Sequence, residues 1–133
     1  MDNLNLFLAV NARLETERLL LRPVTLEDAE DMFEYGSKED NTYFVFPRHT
    51  TIDDTFHSIA NYFMASPLGK FGIELKENKK LIGTADIRVD MKKSRAELGY
   101  VLNQEYTKQG YATEAAARLV EFAFETLELQ KVT

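Results

Sequence analysis

The chain of 133 residues has no cysteine, no tryptophan, three prolines and two histidines. The missing thiol excludes a disulfide framework, a Cys-based zinc site and a cysteine nucleophile. Two scattered histidines, His49 and His57, give no metal-ligand signature, so we expect no metal. No apolar run approaches the roughly 18–20 residues needed to span a bilayer. The short LFLAV near the N-terminus lacks a basic flank and is followed by Asn11 and Arg13, unlike a signal peptide. Basic excess is also missing: 16 Lys and Arg against 22 Asp and Glu give a net charge of -6. That balance disfavours nucleic acid, whose phosphates must be neutralised by Lys and Arg, and suits a cationic acceptor. Gly69-Lys70 lacks the glycine before and the Ser or Thr after that a nucleotide P-loop requires. A composition 44% hydrophobic and 29% charged fits one ordinary globular domain, expected in the cytoplasm, without repeats or low-complexity segments.

The most informative stretch is TKQGYATEAAARLVEFAFETLEL, Thr107 to Leu129. Ala112, Ala115, Ala116, Leu119, Val120, Ala123 and Leu127 recur at three and four, which predicts one apolar stripe on a helix. Glu114 and Arg118 are spaced to form an i,i+4 ion pair. Before the turn, AELGYVLN reads as a strand. A strand, a Gly turn and a helix N-terminus together make an anion site, because unbonded N–H groups converge with the positive end of the helix dipole. Gly110 permits close backbone approach and Ala112 keeps the first turn small.

The string GYVLNQEYTKQGYATEAA resembles the acyl-CoA motif of the GNAT N-acetyltransferase superfamily, Gln/Arg-x-x-Gly-x-Gly/Ala after a bulged strand. Gly110 and Ala112 match its last two fixed positions, whereas Thr107 departs from the first. Gly-Tyr-x-Leu followed by Gln-Gly-Tyr-Ala-Thr-Glu-Ala, with the opening LETERLLLRPVTLEDAEDMF, is similar to the branch containing ribosomal-protein N-terminal acetyltransferases.

The rest of the chain reads as a matching order of elements. Residues 1–13 form an extension, expected to be helical, and 14–133 the domain. RLLLRPV is a strand; Thr25 with Asp28 imitates a capping box before a helix that ends at a Gly36 C-cap. Asn41 to Thr50 is an apolar strand or a loop over a cleft, serving either as acceptor wall or as core. Thr51 opens a second helix to about Ala65. Ile52, Phe56, Ile59, Ala60 and Phe63 make its buried face, and Asp53, Asp54, His57 and Asn61 its polar one. KFGIELK, KLIGTADIRV and RAELGYVL then read as consecutive antiparallel hairpins. After the last helix, Gln130 to Thr133 begin another strand. The fold class is α+β, a mainly antiparallel mixed sheet with flanking helices. The resemblance implies further elements beyond Thr133, so the domain reads as incomplete within its fifth strand.

The same resemblance implies acetyl-CoA as co-substrate and a primary amine as acceptor. It implies that the N–H groups of Tyr100, Val101 and Leu102 hold the pantetheine arm and polarise the thioester carbonyl. It places the pyrophosphate on the N–H groups of Gln109, Gly110, Tyr111, Ala112 and Thr113, with the Thr113 hydroxyl as a further donor. Glu97 is the candidate base, shortly before the expected bulge, and Asp86 on the neighbouring strand is a second. Tyr106 and Tyr111 match no leaving-group acid. Two readings stand: an N-acetyltransferase, or a truncated GNAT-like domain that binds CoA or self-associates without efficient catalysis. An unfinished sheet edge favours a homodimer.

Overall fold

The computed structural model describes residues 3–38 and 48–133. In chain order the elements are α1 (Leu4–Val10), β1 (Leu14–Glu15), β2 (Leu19–Arg22), α2 (Ala29–Gly36), α3 (Ile52–Ser58), β3 (Lys70–Leu75), β4 (Leu81–Asp90), β5 (Arg95–Leu102), α4 (Tyr111–Glu121) and β6 (Lys131–Val132). The strands form one sheet in the order β1-β2-β3-β4-β5-β6. Each neighbouring pair is antiparallel except β5 with β6. That exception follows from the connection, since a helix between two strands returns the chain in the same direction.

Alternation along the strands sorts side chains onto two faces. On one, Leu19, Leu21, Ile73, Ile82 and Ile87 pack with Leu8 of α1 and with Ala115, Leu119, Phe122 and Ala123. On the other, Val24 and Leu81 pack with Ala29, Met32 and Tyr35 of α2 and with Ile59, and Val101 joins them. Each fully buried Leu or Ile contributes about 1.5–3 kcal/mol, and both cores draw on β4. The sheet is thereby held between α1 and α4 on one side and α2 and α3 on the other. The N-terminal extension contributes Leu8 to this core.

Several local expectations change. The two hairpins form as read, but pairing of β4 with β5 runs from Gly83↔Leu102 to Asp90↔Arg95 without a shift. The irregularity lies instead between Ile73 and Glu74. Glu114 does not pair with Arg118: Arg118 bonds Glu121 at 3.0 Å and the Glu15 carbonyl, while Glu114 faces Arg18. Tertiary partners with better geometry outcompete the i,i+4 neighbour. Phe56 and Ala60 are exposed and Thr55 is fully buried. A wider helical turn at Ile59–Met64 follows α3, so the 3.6-residue stripe does not continue through it. A second wide turn, Phe122–Thr126, follows α4 and brings Phe122, Ala123 and Leu127 all into the core. Gly36 is the last residue of α2 and Ser37 is the C-cap. At Gly36 a Cβ would lie 2.9 Å from His49 Nδ1, so the glycine makes room for that ring. Thr51 and Asp54 form a reciprocal cap at the start of α3. Of the Asn41–Thr50 segment, residues 41–47 fall outside the described residues.

Candidate active site

The βαβ unit β5–α4–β6 builds one half of the site. The two-residue β6 pairs with Arg95 and Ala96 only, followed by a Leu98 N–H bond to the Thr133 carbonyl. Leu98 N–H faces β6, whereas Asn103 N–H bonds Ile82 of β4. Strand alternation therefore turns the Tyr100 and Leu102 main chain toward the β6 side of β5 and the Val101 N–H toward β4. Of the three expected pantetheine positions, the β6 side presents two, and Val101 serves through its side chain in the opposite core.

After β5 the chain passes through the 3-10 turn Gln104–Tyr106 and then, at Gly110, enters α4. Gly110 is the helix N-cap with φ 85°, a left-handed conformation that costs a side-chain-bearing residue about 1–2 kcal/mol. The N–H groups of Tyr111, Ala112 and Thr113 occupy the first turn, where no intrahelical acceptor exists. Gln109, Gly110 and Thr113 are exposed, and Tyr111 and Ala112 are half-buried. Thr107 gives its hydroxyl to the Gln104 carbonyl at 2.8 Å, so it shapes the turn rather than pointing along it.

Arg18, from the β1–β2 connection, stands over this turn. Its guanidinium lies 4.3 Å from the Tyr111 ring centroid and donates to Gln109 O at 3.1 Å and to Glu114 Oε1 at 2.7 Å. Glu114 also accepts from the Arg18 N–H at 2.9 Å and from the Thr16 hydroxyl. Burial pushes the Glu114 carboxyl up, but these donors outweigh it and hold it below the usual carboxylate range. Arg18 carried no motif in the sequence; only the contact across more than ninety residues reveals it.

The other half of the site is a cavity of about 490 Å³ on the α2 face of the sheet. β4 supplies Thr84, Ala85, Asp86 and Arg88, and β5 supplies Gly99, Tyr100 and Val101. Met32 and Tyr35 come from α2, His49 from the loop before α3, and Ser58, Tyr62 and Phe63 from α3 and its last turn. Asp86 sits against Gly99, where a Cβ would lie 2.7 Å from its Oδ1. Burial pushes the Asp86 carboxyl up, and Arg88 and Lys70 only partly oppose this. Glu97 pairs across the strands with Arg88, one step outward on the same face, and is exposed. The cavity wall includes Asp86 and not Glu97.

His49, without an evident partner in the sequence, is buried, with Nδ1 2.7 Å from the Thr55 hydroxyl. Burial lowers its pKa, with Asp54 opposing. His57 is exposed as read. Asn103, fully buried, donates to Glu34 at 2.8 Å and accepts from Glu105 N–H, tying the end of β5 to α2. An Asn closing a strand before a polar turn is a local signal that could have marked it. No group of three metal-ligating side chains occurs among the described residues, and no helix there is long and apolar enough to cross a membrane.

A family profile described as an acetyltransferase (GNAT) domain matches residues 18–133. An uncharacterized N-acetyltransferase, p20, from Bacillus licheniformis is 32% identical over 124 residues, covering 90% of this chain and 70% of that protein. YoaA of Bacillus subtilis (strain 168), also an uncharacterized N-acetyltransferase, matches at 32% with the same coverage. Among solved structures, an acetyltransferase of the GNAT family from Bacillus anthracis superposes with a TM-score of 0.78. It is 26% identical, with 90% of this chain and 70% of that one covered. A protein from Vibrio cholerae provisionally assigned as a ribosomal-protein-serine acetyltransferase gives 0.77 at 26% identity, covering 92% and 72%. The chain belongs to the GNAT acetyltransferase family.

Proposed function

We propose that the protein transfers the acetyl group of acetyl-CoA to a primary amine by direct attack. The observation that carries this reading is the Gly110 N-cap, φ 85°, that opens α4 after β5 in a chain whose residues 18–133 match the GNAT acetyltransferase profile. An extended pantetheine arm lies along β5, held through the Tyr100 and Leu102 main chain. Its pyrophosphate then meets the N–H groups from Gln109 to Thr113. When bound, acetyl-CoA supplies the activated thioester; the chain positions it and receives charge and protons.

The amine enters from the cavity side, between β4, β5 and α2. Its nitrogen lone pair attacks the thioester carbon, and the N–C bond forms as the C–S bond breaks. The nitrogen loses a proton and the departing thiolate gains one. Donors on the β5 edge suit the oxygen that becomes negative in between. Glu97, on the cavity face beside Arg88, is the carboxylate we assign to take the amine proton. The provisional assignment of the Vibrio cholerae protein favours a protein N-terminus as the acceptor class. We expect the acting form to be a homodimer.

The test is a calorimetric titration with CoA, followed by thiol release from acetyl-CoA in the presence of amine-bearing peptides and small amines. Saturable CoA binding with amine-dependent thiol release supports the reading. CoA binding without turnover would favour the alternative, a binding domain that does not catalyse efficiently. A folded protein that does not bind CoA removes both.

A further inference from the structure

Asp86 is the one carboxylate among the described residues of the cavity wall; the Gly99 and Asp86 N–H groups bond it, yet burial outweighs these donors and the nearby cations. Its side chain is 20% exposed. Arg88 Nε stands 3.8 Å away, too far for a hydrogen bond, on a side chain that is 61% exposed. Lys70 is its partner across β3 and β4, yet Lys70 Nζ donates to the Tyr62 carbonyl at 2.7 Å and lies 3.9 Å from the Tyr62 ring centroid. Lys70 is thus directed elsewhere, and Arg88 stays beside the carboxylate beyond hydrogen-bond reach. A half-buried carboxylate with poor compensation, facing a cavity, is the kind of group that a ligand completes.

We propose that Asp86 is the acceptor-binding residue, its carboxylate holding the protonated primary amine of the acceptor in the cavity over Gly99. An ammonium offers three donors in a small volume, matching a carboxylate that has lone pairs left to accept them. A divalent cation wants six or more oxygens, which the described residues of this wall do not offer. Tyr62 and Phe63, edge to face at 4.9 Å, give the substituent next to the nitrogen an apolar wall. The acceptor class is therefore a cationic primary amine whose substituent beside the nitrogen is partly apolar. Gly99 is needed at its position because any side chain would displace the Asp86 oxygen. This deepens the acetyl-transfer reading and leaves the base role with Glu97.

A carboxyl pushed up by burial costs stability when ionised. Its folded-state value exceeds its unfolded one, so its contribution is present at low pH and is lost as pH rises through the folded value. The groups facing it are Lys70 from β3, Arg88 on β4, Glu97 across and outward on β5, and Tyr35, His49 and Tyr62 around the cavity. At neutral pH, Asp86→Asn should then raise the melting temperature or leave it unchanged, whereas loss of a structural carboxylate lowers it.

The experiment uses ethylammonium chloride as the probe and amide shifts in the full chain as the readout, with sodium chloride as the ionic-strength control. Expected are saturable shifts at Gly99 and Arg88 that weaken as pH falls through the Asp86 range. Asp86→Asn should weaken them about tenfold or more, the scale of a charged hydrogen bond, without a lower melting temperature. Absence of saturation in the wild type, equal shifts in Asp86→Asn, or a destabilised Asp86→Asn would each overturn the proposal. CoA titration of the same samples separates the two readings. Lost CoA binding with intact ethylammonium binding would remove the acetyl-CoA reading and leave the Asp86 site standing.

Discussion

Arg22 is the point where the sheet and the wall of the cavity are joined, and its removal should be costly. The guanidinium is 13% exposed and forms a bidentate pair with Asp28, at 2.9 and 2.8 Å. It also donates to Glu74 at 2.7 Å and to the Pro23 carbonyl at 2.9 Å. Asp28 in turn accepts the Thr25 N–H at 2.9 Å, fixing the start of α2. Asp28 and Glu74 are 7% and 16% exposed, so one cation serves two carboxylates that water barely reaches. Arg22→Met keeps much of the packing and leaves both acids uncompensated. Breaking a buried pair in this way costs about 3–5 kcal/mol, a large share of the roughly 5–15 kcal/mol of an ordinary domain. With a urea slope near 2 kcal/mol/M, the unfolding midpoint should fall by about 2 M. The triple variant Arg22→Met, Asp28→Asn, Glu74→Gln should recover part of the loss, because no buried charge remains. A loss under about 1 kcal/mol, the range of surface pairs, or a triple variant less stable than the single one, would refute this account.

Gly110→Asp combines left-handed strain with negative charge at the proposed phosphate turn, and should weaken CoA binding at least about tenfold, or 1.4 kcal/mol. Unchanged affinity by calorimetry would remove the site. Glu97→Gln should lower turnover about a hundredfold, most at low pH, with CoA affinity intact; a pH–rate profile superposing on wild type would reject the base role. Glu114 is held below its ordinary range, so its contribution exists above the unfolded value near 4.3 and is lost as pH falls through the folded one. Glu114→Gln should accordingly melt lower than wild type at neutral pH, with the gap closing in acid; a gap constant from pH 7 to 3 contradicts the assignment.

Local chemistry made much of this molecule legible in one dimension. The period-2 runs of β3, β4 and β5 with polar turns between them led to the hairpins, since register and turn length are neighbour properties. The Gly110 turn into an amphipathic helix was equally local, because a left-handed N-cap and an apolar stripe are both properties of one short segment. Where segments far apart compete, sequence spacing decided little. Glu114 had a well-spaced partner in Arg118, yet it pairs with Arg18, which the β1–β2 turn delivers in better geometry. His49 became a buried member of the cavity wall only because Gly36 and Thr55 meet it in space. Glu97 and Asp86 read alike as strand carboxylates; tertiary packing alone left the first exposed and drew the second into a cavity over Gly99. The stripe of α4 was visible in the sequence, but the wide turn that adds Phe122 to the core was not, because it depends on what the helix packs against. Propensity and periodicity act between neighbours, whereas burial and charge compensation depend on the whole fold, so the elements were in the sequence and the environment of the site was not.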